Sequence, residues 1–315
     1  MPPVTGLLVL LVALALDLTV GDPPNRYHPV AWMGSAIAGA RRLAPQHGRW
    51  APCAAGAVLV VAGVVVWGAV GWLLERGFAF LPLPLRWLAE AGVLKTTFAL
   101  RGLGRASQQV RTALEAGNLP QARHLVSWHL VSRDTSQLTA SQVAAATVES
   151  VAENTSDGIV APWFFYVLGG LPAAFAYRFI NTADAMLGYR DPQREWLGKV
   201  PARLDDLVNL VPARLTAVLM LLAAVFPGTN ALTAWQTWRR DARCTASPNA
   251  GHPMSVMAGA LQVELTKAGV YQLGAGQAPP AARDIPRAVH LVYRTVALAL
   301  GGLAIGLGVQ ALCCG

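Results

Sequence analysis

Long apolar runs separated by short polar segments dominate the pattern of this chain. Residues 53–74 carry no charged side chain, and this run is long enough to cross a bilayer, which takes roughly 20 apolar residues. Further apolar runs cover residues 4–20, 207–226 and 289–314, each with few charged side chains. We therefore predict an all-α, polytopic integral membrane protein with about four to six membrane segments. No Lys or Arg precedes the first run, so we interpret it as a retained membrane segment and not as a signal peptide.

One further apolar stretch, residues 159–180, is interrupted by Gly169-Gly170-Leu171-Pro172. Each half is too short to span a membrane, and irregular backbone is tolerated there when protein surrounds it. We predict a break near Gly169-Gly170 that makes this segment a re-entrant hairpin, with a broken full span as the alternative. Residues 78–100 are apolar but contain charges and prolines, which fits a second membrane pass or a helix lying at the interface.

The segment from residue 101 to residue 132 has the pattern of a basic helical hairpin, broken at Gly117-Asn118-Leu119-Pro120. Basic loops are typical of the cytoplasmic side of membrane proteins. We therefore predict one integral membrane domain over residues 1–315, with residues 101–157 as a cytoplasmic helical insertion within it.

Composition supports a membrane protein, since 54% of the residues are hydrophobic and only 13% are charged. Soluble domains carry about 25% charged residues. The net charge of +8 agrees with basic cytoplasmic loops and suits anionic substrates. Nucleic-acid binding is not expected, because no stripe of Arg and Lys interleaves with aromatic residues. The four cysteines have no CxxC spacing, so they indicate neither a zinc site nor a disulfide framework.

A stripe of acidic residues lies at the end of a predicted helix that begins near Thr139, where Thr139 and Gln142 have capping-box spacing. Glu149 and Glu153 are four residues apart and share one face of this helix. Asp157 continues the stripe, and Gly158 predicts the end of the helix. Such carboxylates repel one another unless water or a cation neutralises them. The stripe fits a Mg²⁺ site, and a solvated helix face is the alternative.

Two other groups of oxygen-bearing side chains lie next to apolar segments. Asn181 and Asp184 share a helix face, and so do Asp205 and Asn209, with Asp206 beside them. Polar residues at membrane depth are costly and often functional. A structural pair between an aspartate and Arg203 or Arg214 is the alternative interpretation.

Short polar segments elsewhere carry further candidates. Arg133 and Asp134 belong to a run that favours turns and caps, or they bind substrate. Arg26 and His28 lie in a proline-rich turn, where they hold an anion or sit at the membrane interface. Asn249 lies in a tight loop that would bring backbone N–H groups to a phosphate. No P-loop sequence is present, so any nucleotide site is of another kind.

These motifs together resemble the CobD/CbiB family of cobalamin biosynthesis, known as adenosylcobinamide-phosphate synthase. The resemblance runs through most of the chain, in the order of the family's motifs. It rests on Leu16-Asp17, Gly21-Asp22-Pro23, His28-Pro29-Val30, Ser132-Arg133-Asp134-Thr135, residues 148–157, Asn181-Thr182, residues 184–186 and 188–191, Arg203-Leu204-Asp205-Asp206, Asn209, Pro212-Ala213-Arg214, residues 247–251 and residues 257–261. Tyr271-Gln272-Leu273-Gly274 only loosely echoes the family's Tyr-Phe-Gly-like stretch, and residues 193–200 also depart from its pattern.

The resemblance implies an enzyme that forms an amide between cobyric acid and 1-amino-2-propanol or its phosphate, using ATP and Mg²⁺. It implies a multi-pass protein of the bacterial inner membrane with a cytoplasmic active site. Expected partners are the corrinoid, the amino alcohol, ATP and membrane lipid, with a homo-oligomer or other cobalamin-pathway proteins as further associations. Two other classes stay open: a Mg²⁺-dependent membrane transferase acting on a diphosphate donor, and a non-catalytic corrinoid transport subunit.

This chemistry gives each candidate residue a hypothetical role. We expect the catalytic residues to be Arg133, Asp134, Glu149 and Glu153. We expect Mg²⁺ to be held by Glu149, Glu153, Asp157 and Asp184, brought together by a turn at Gly158 and the break in the apolar segment. We expect the substrates to contact Arg26, His28, Asn154, Asn181, Arg190, Asp205, Asp206, Asn209 and Asn249.

Overall fold

The computed structural model describes residues 3–45, 47–189, 191, 194–267 and 269–314. Most of this is helix, together with one short β-hairpin that the sequence pattern did not predict. The helices of the N-terminal half are α1 (Pro3–Thr19), α2 (Pro29–Leu43), α3 (Trp50–Phe78), α4 (Leu83–Lys95), α5 (Leu100–Glu115), α6 (Leu119–His129) and α7 (Ala140–Thr155). The later elements are α8 (Ala161–Leu187), α9 (Lys199–Val208), α10 (Leu210–Ala223), α11 (Ala231–Asp241), α12 (Gly251–Leu261), β1 (Leu265–Lys267), β2 (Tyr271–Leu273) and α13 (Asp284–Cys314).

The chain forms two compact units. The first consists of Met1–Ala99 with Ala161–Asn209, and the second of Leu100–Val160 with Leu210–Gly315. In the first unit, a core around Met33, Ile37, Phe175 and Phe179 joins α2 to α8. In the second unit every residue of α12 except His252 is buried, with α10 and α11 packed against the helix. The predicted insertion, residues 101–157, lies in the second unit.

Three helices in the described part of the chain are long and apolar enough to cross a membrane: Trp50–Phe78, Ala140–Leu187 and Asp284–Gly306. The count becomes four if the bent pair α9 and α10 is a single span. The fold is therefore that of a helical membrane protein, at or below the lower end of the predicted four to six segments. The first apolar run does form a helix, but Thr5–Thr19 is shorter than these candidate spans.

The predicted break in α8 is confirmed, because the backbone leaves helical geometry at Gly169 and Gly170. Gly170 has a φ of 66°, a conformation that disfavours side chains with a Cβ. Glu75, on α3, replaces the missing helical acceptor: its Oε1 atom accepts the N–H of Leu171 at 2.7 Å. The two halves of α8 are thus joined at a break that a neighbouring helix stabilises.

The predicted helix end at Gly158 is wrong. The chain continues through a π-helical turn, Ser156–Val160, directly into α8. Ile159 and Val160 are buried, and this burial outweighs the roughly 1 kcal/mol by which a glycine weakens a helix interior. The other end of α7 is as predicted, with Thr139 and Gln142 forming a complete capping box. The helical hairpin formed by α5 and α6 is also as predicted, and Asn118 caps α6.

Candidate active site

A buried ion pair joins α7 to the loop that precedes it. Glu149 is 4% exposed, and its Oε2 atom lies 3.1 Å from Nη2 of Arg133. The Arg133 side chain keeps 24% of its surface exposed, so it faces the buried carboxylate without being fully buried itself. Burying a carboxylate next to a cation offsets the large penalty of burying it alone.

The β-hairpin brings two more polar side chains to this pair. Strand β1 pairs antiparallel with β2, and the register sets Lys267 opposite Tyr271. Both side chains act electrostatically on Glu149, and Tyr271 also interacts with Glu153. Burial raises the pKa of the Tyr271 phenol far above its usual value, and the carboxylates of Glu149 and Glu153 raise it further. The phenol therefore stays protonated and is a donor. We name these five residues, Arg133, Glu149, Glu153, Lys267 and Tyr271, the Arg133 cluster.

The hairpin is held in place from α11. The N–H of Gly274, just after β2, donates to Oδ2 of Asp241 at 2.7 Å. Arg240 pairs with the same carboxylate through two hydrogen bonds of 2.7 and 2.9 Å. Burial raises the pKa of Asp241, but its hydrogen bonds with Arg240 and Gly274 outweigh this and leave the pKa below its usual value. Asp241 thus stays ionised and ties the hairpin to the helix.

Two predicted site residues next to the cluster have structural contacts. Asn154 donates to the carbonyl of Ser150 at 2.9 Å and to its hydroxyl at 3.2 Å, which fixes the amide along α7. Asp134 accepts the N–H of Ser136 at 2.8 Å and its hydroxyl at 3.1 Å. These bonds lower the pKa of Asp134, which caps the turn that presents Arg133.

A second group of oxygen-bearing side chains lies in the first unit, and we name it the acidic cluster. It consists of Asn181, Asp184, Asp205, Asp206 and Asn209. Asn181 donates to Asp205 at 3.3 Å, and the hydroxyl of Tyr177 donates to Asn209 at 2.9 Å. The three aspartates interact electrostatically with one another.

Two arginines of the first unit contact members of the acidic cluster. Arg178 donates to Asn181 at 3.1 Å, and Arg203 lies 3.7 Å from Asp206. The Arg203 side chain is 71% exposed, and an exposed pair of this kind contributes little to stability. The predicted grouping of Asn181 and Asp184 with Asp205, Asp206 and Asn209 is therefore present, within the first unit.

The expected four-carboxylate magnesium site is not seen as a preformed cluster. Among the described residues, no group of three or more His, Cys, Asp or Glu side chains is arranged to hold a metal ion. Asp184 belongs to the acidic cluster of the first unit, whereas Glu149 is engaged by Arg133. The predicted turn at Gly158 is replaced by the π-helical turn. Glu153 and Asp157 follow Glu149 on the second unit, and magnesium binding itself stays a prediction.

The proline-rich turn after α1 forms a cluster of its own in the first unit. Nδ1 of His28 accepts the N–H of Val30 at 3.2 Å, and its Nε2 atom lies 3.5 Å from Asp22. Lys95 bonds to the same carboxylate and lies 3.8 Å from Asp17. Burial raises the pKa of Asp22, but hydrogen bonds from His28 and Lys95 outweigh it and lower the pKa overall. His28 therefore orders this turn.

The remaining predicted binding residues have different surroundings. Arg26 is exposed, and its guanidinium lies 4.5 Å from the centre of the Tyr27 ring. Asn249 is buried and accepts a hydrogen bond from Arg214 at 3.2 Å. Arg190, predicted to bind phosphate, lies outside the described residues.

Comparison with known proteins assigns the family. The family described as CobD/Cbib protein matches residues 10–292, which include every polar cluster described above. The chain belongs to the CobD/CbiB family. A cobalamin biosynthesis protein CobD from Dehalococcoides mccartyi is 41% identical over 85% of this chain and 86% of the relative. A protein of the same name from Klebsiella pneumoniae is 40% identical over 96% of this chain and 97% of the relative. No solved structure matches the chain at a significant level.

A relative named cobalamin biosynthesis protein CbiB, from Salmonella choleraesuis, is 37% identical over 92% of this chain and 94% of its own length. Membership of the CobD/CbiB family assigns this membrane protein to cobalamin biosynthesis, as the motif pattern predicted.

Two members of the Arg133 cluster were missed by reasoning from sequence. Lys267 and Tyr271 lie on a hairpin, and an all-helical interpretation has no place for it. The alternation of apolar Val263 and Leu265 with polar Glu264 and Thr266 is the period of a strand. Together with the faint CobD/CbiB resemblance at Tyr271, this alternation was the available indication.

Proposed function

We propose that this CobD/CbiB protein is an ATP-dependent ligase. It joins the carboxylate of (adenosyl)cobyric acid to 1-amino-2-propanol or its phosphate, giving (adenosyl)cobinamide or its phosphate. The observation that carries the proposal is the Arg133 cluster. A buried carboxylate fixes a partly exposed guanidinium beside a protonated phenol, and this arrangement suits an anionic reacting group.

The reaction needs activation, because a carboxylate does not release oxide to an attacking amine. In the proposed route, the carboxylate oxygen attacks the γ-phosphorus of ATP, and the bond from that phosphorus to ADP breaks. The amine nitrogen then attacks the acyl phosphate, the carbon–oxygen bond breaks, and inorganic phosphate leaves. One proton passes from the ammonium form of the amine to a base, so atoms and charge balance.

The Arg133 cluster supplies positioning and charge stabilisation for these steps. A guanidinium binds phosphate or carboxylate oxygens through two parallel N–H groups. Glu149 holds Arg133 in one orientation, and the donor hydroxyl of Tyr271 stabilises the ionised form of Glu149. Preorganised donors of this kind contribute most where negative charge develops in the transition state.

A base for the ammonium proton is also present in the cluster. Glu153, one helical turn after Glu149, is partly exposed and is our candidate for that base. Asp134 shapes the turn that follows Arg133, so its proposed catalytic contribution is indirect.

The acidic cluster has the donors that Mg²⁺ prefers, since hard oxygen atoms of carboxylates and amides are its usual ligands. Magnesium takes one or two protein carboxylates and completes its shell with water and substrate phosphates. A preformed group of three carboxylates is therefore not required. Asp184 and Asp205 would hold the ion.

Reconstitution tests the proposal. Purified protein receives cobyric acid, ATP, Mg²⁺ and either aminopropanol or its phosphate, and mass spectrometry identifies the corrinoid product. We expect a mass increase equal to the amino alcohol minus water, dependent on ATP, with ADP and phosphate released. A transferase acting on a diphosphate donor would give no amide under these conditions. A transport subunit would leave every substrate unchanged.

We further propose that the protein lies in the bacterial inner membrane, with the loop before α7 on the cytoplasmic side, where ATP is available. A cysteine placed at the exposed Ser136 should react with a membrane-impermeant maleimide only after cells are permeabilised. Labelling in intact cells would place this loop outside.

A further inference from the structure

Two arginines and a histidine of the second unit form a positive cluster outside the Arg133 cluster. Arg214 lies in the first turns of α10, Arg243 follows the end of α11, and His252 is the second residue of α12. Both arginines act electrostatically on His252. We name these three residues the His252 cluster.

The geometry around His252 fixes which ring nitrogen carries the proton. Nε1 of Trp238 lies 2.9 Å from Nδ1 of His252, and an indole N–H is only a donor. Nδ1 must therefore accept, so the proton of the neutral ring is on Nε2. Burial, together with the charges of Arg214 and Arg243, lowers the pKa of His252 to about 4. At neutral pH the ring is uncharged and has its Nε2–H as a donor near the two guanidiniums.

Nearby acidic residues do not compensate these guanidiniums. Arg214 bonds to the carbonyl of Leu210 at 2.8 Å and to the amide of Asn249 at 3.2 Å, and both acceptors are neutral. Asp241 is committed to Arg240 and to the backbone of Gly274. Within the described ranges, neither Arg214 nor Arg243 forms a salt bridge. The cluster thus carries two positive charges that form no salt bridge with a carboxylate of the described residues.

We propose that the His252 cluster binds a phosphate group of a substrate. The two negative charges of a phosphate dianion balance the two arginine charges. The phosphate oxygens also fit the forked N–H donors of a guanidinium better than they fit the compact ammonium group of a lysine. A neutral histidine N–H adds a donor without adding to the repulsion between cations.

This proposal rests on the proposed ligase function, because that reaction offers phosphates from two sources. One source is the nucleotide, and the other is the phosphorylated amino alcohol. Both present the same chemistry to the His252 cluster, and competition experiments distinguish them.

The test measures the binding of radiolabelled inorganic phosphate to the full-length protein in detergent micelles by equilibrium dialysis. Arg243 is exposed, so Arg243→Gln should fold normally. We expect its phosphate affinity to fall about tenfold, the typical effect of losing one charge-assisted hydrogen bond. Arg239→Gln is the matched control: it removes the same charge from α11, but Arg239 lies over the Trp235 ring. We expect its affinity to equal that of the wild type.

A second position guards against an effect of charge alone. Arg214→Lys keeps the charge but loses the fork, so it should bind phosphate more weakly than the wild type and more tightly than Arg214→Gln. Circular dichroism and gel filtration verify the fold of each variant. Wild-type protein that fails to bind millimolar phosphate overturns the proposal, and so does an Arg243→Gln variant that binds as tightly as the wild type.

Competition then identifies the source of the phosphate. Displacement of the label by a non-hydrolysable ATP analogue assigns the cluster to the nucleotide. Displacement by aminopropanol phosphate, but not by free aminopropanol, assigns it to the amino alcohol. Displacement by neither contradicts the assignment to a substrate. If phosphate binds as expected while reconstitution gives no amide, the ligase proposal fails and the binding site stands. If amide forms but phosphate does not bind, the site alone is wrong.

Discussion

The carboxylate of Glu75 accepts the backbone N–H of Leu171 at 2.7 Å, at the point where α8 breaks. We expect Glu75→Ala to destabilise the protein by about 1–3 kcal/mol, because the buried N–H of Leu171 loses the charged acceptor to which it donates. Glu75→Gln keeps an oxygen acceptor and should cost less than half as much. The thermal unfolding midpoint in detergent, followed by circular dichroism, measures both.

Glu115→Ala is the control for this comparison, because Glu115 pairs with Arg111 on an exposed helix face. Its unfolding midpoint should be close to that of the wild type. Equal midpoints for Glu75→Ala and Glu75→Gln would show that the hydrogen bond to Leu171 does not stabilise the break.

The pairing of Arg133 with Glu149 predicts coupled losses of activity. We expect Arg133→Ala and Glu149→Ala each to lower kcat/KM about 100-fold, because each removes the fixed orientation of one guanidinium. The kcat/KM of the double variant should be no lower than that of the less active single variant, since the two side chains act as one unit. Steady-state kinetics of the three variants gives the coupling.

The exposed pair of Arg111 and Glu115 again supplies the control, because Nε of Arg111 lies 2.8 Å from the carboxylate of Glu115. The double variant of this pair should retain wild-type kinetics. Losses at Arg133 and Glu149 that simply multiply would mean that the two side chains act independently.

The dependence of activity on Mg²⁺ distinguishes the acidic cluster from Glu153 of the Arg133 cluster. We expect Asp184→Asn and Asp205→Asn each to raise the Mg²⁺ concentration for half-maximal activity about tenfold, because each removes a carboxylate ligand. Glu153→Gln should lower kcat while leaving the Mg²⁺ dependence unchanged, as expected for a base. A raised Mg²⁺ requirement in Glu153→Gln alone would assign the ion to the second unit instead.

The stability of the protein should depend on pH through His252. Its pKa is lowered to about 4 in the folded state from about 6.5 in an unfolded chain. The groups facing its ring are Arg214 on α10, Arg243 after α11 and the Trp238 N–H on α11. Protonation therefore favours unfolding, so the stabilisation is present above pH 6.5 and is lost as the pH falls towards 4. His252 is only partly buried, so we expect an effect on the order of 1 kcal/mol.

His252→Asn is the informative variant, because its amide oxygen replaces Nδ1 as the acceptor for Trp238. Its unfolding midpoint should change less than that of the wild type between pH 6.5 and pH 4.5. Identical pH profiles for the two proteins would remove His252 as the source of the dependence.

Sequence reasoning succeeded where local rules decide the structure. The capping box at Thr139 and the break at Gly169-Gly170 follow from side-chain chemistry and backbone freedom within a few residues. It failed at Gly158, because burial of Ile159 and Val160 outweighs the local preference of glycine to end a helix. The four-carboxylate set is not a preformed cluster among the described residues, and magnesium binding stays a prediction. Glu149 pairs with Arg133, whereas Asp184 interacts with the like charges of Asp205 and Asp206. Such pairings depend on tertiary contacts that spacing along one helix does not encode.

The position of Tyr271 shows the same limit. Its place beside Glu149 depends on a three-residue strand and on an anchor at Asp241, which is distant in the sequence. Neither feature produces a helical period in the sequence. Both are therefore missed when the hydrophobic pattern is interpreted as membrane helices.

Isotope transfer tests the central claim of amide formation through an acyl phosphate. Cobyric acid labelled with ¹⁸O in its reacting carboxylate is converted with ATP and the amino alcohol, and mass spectrometry follows the label. We predict one ¹⁸O atom in the released inorganic phosphate and one retained in the amide of the corrinoid product. Label in AMP, or amide formation with no ¹⁸O in the phosphate, would contradict the proposed route.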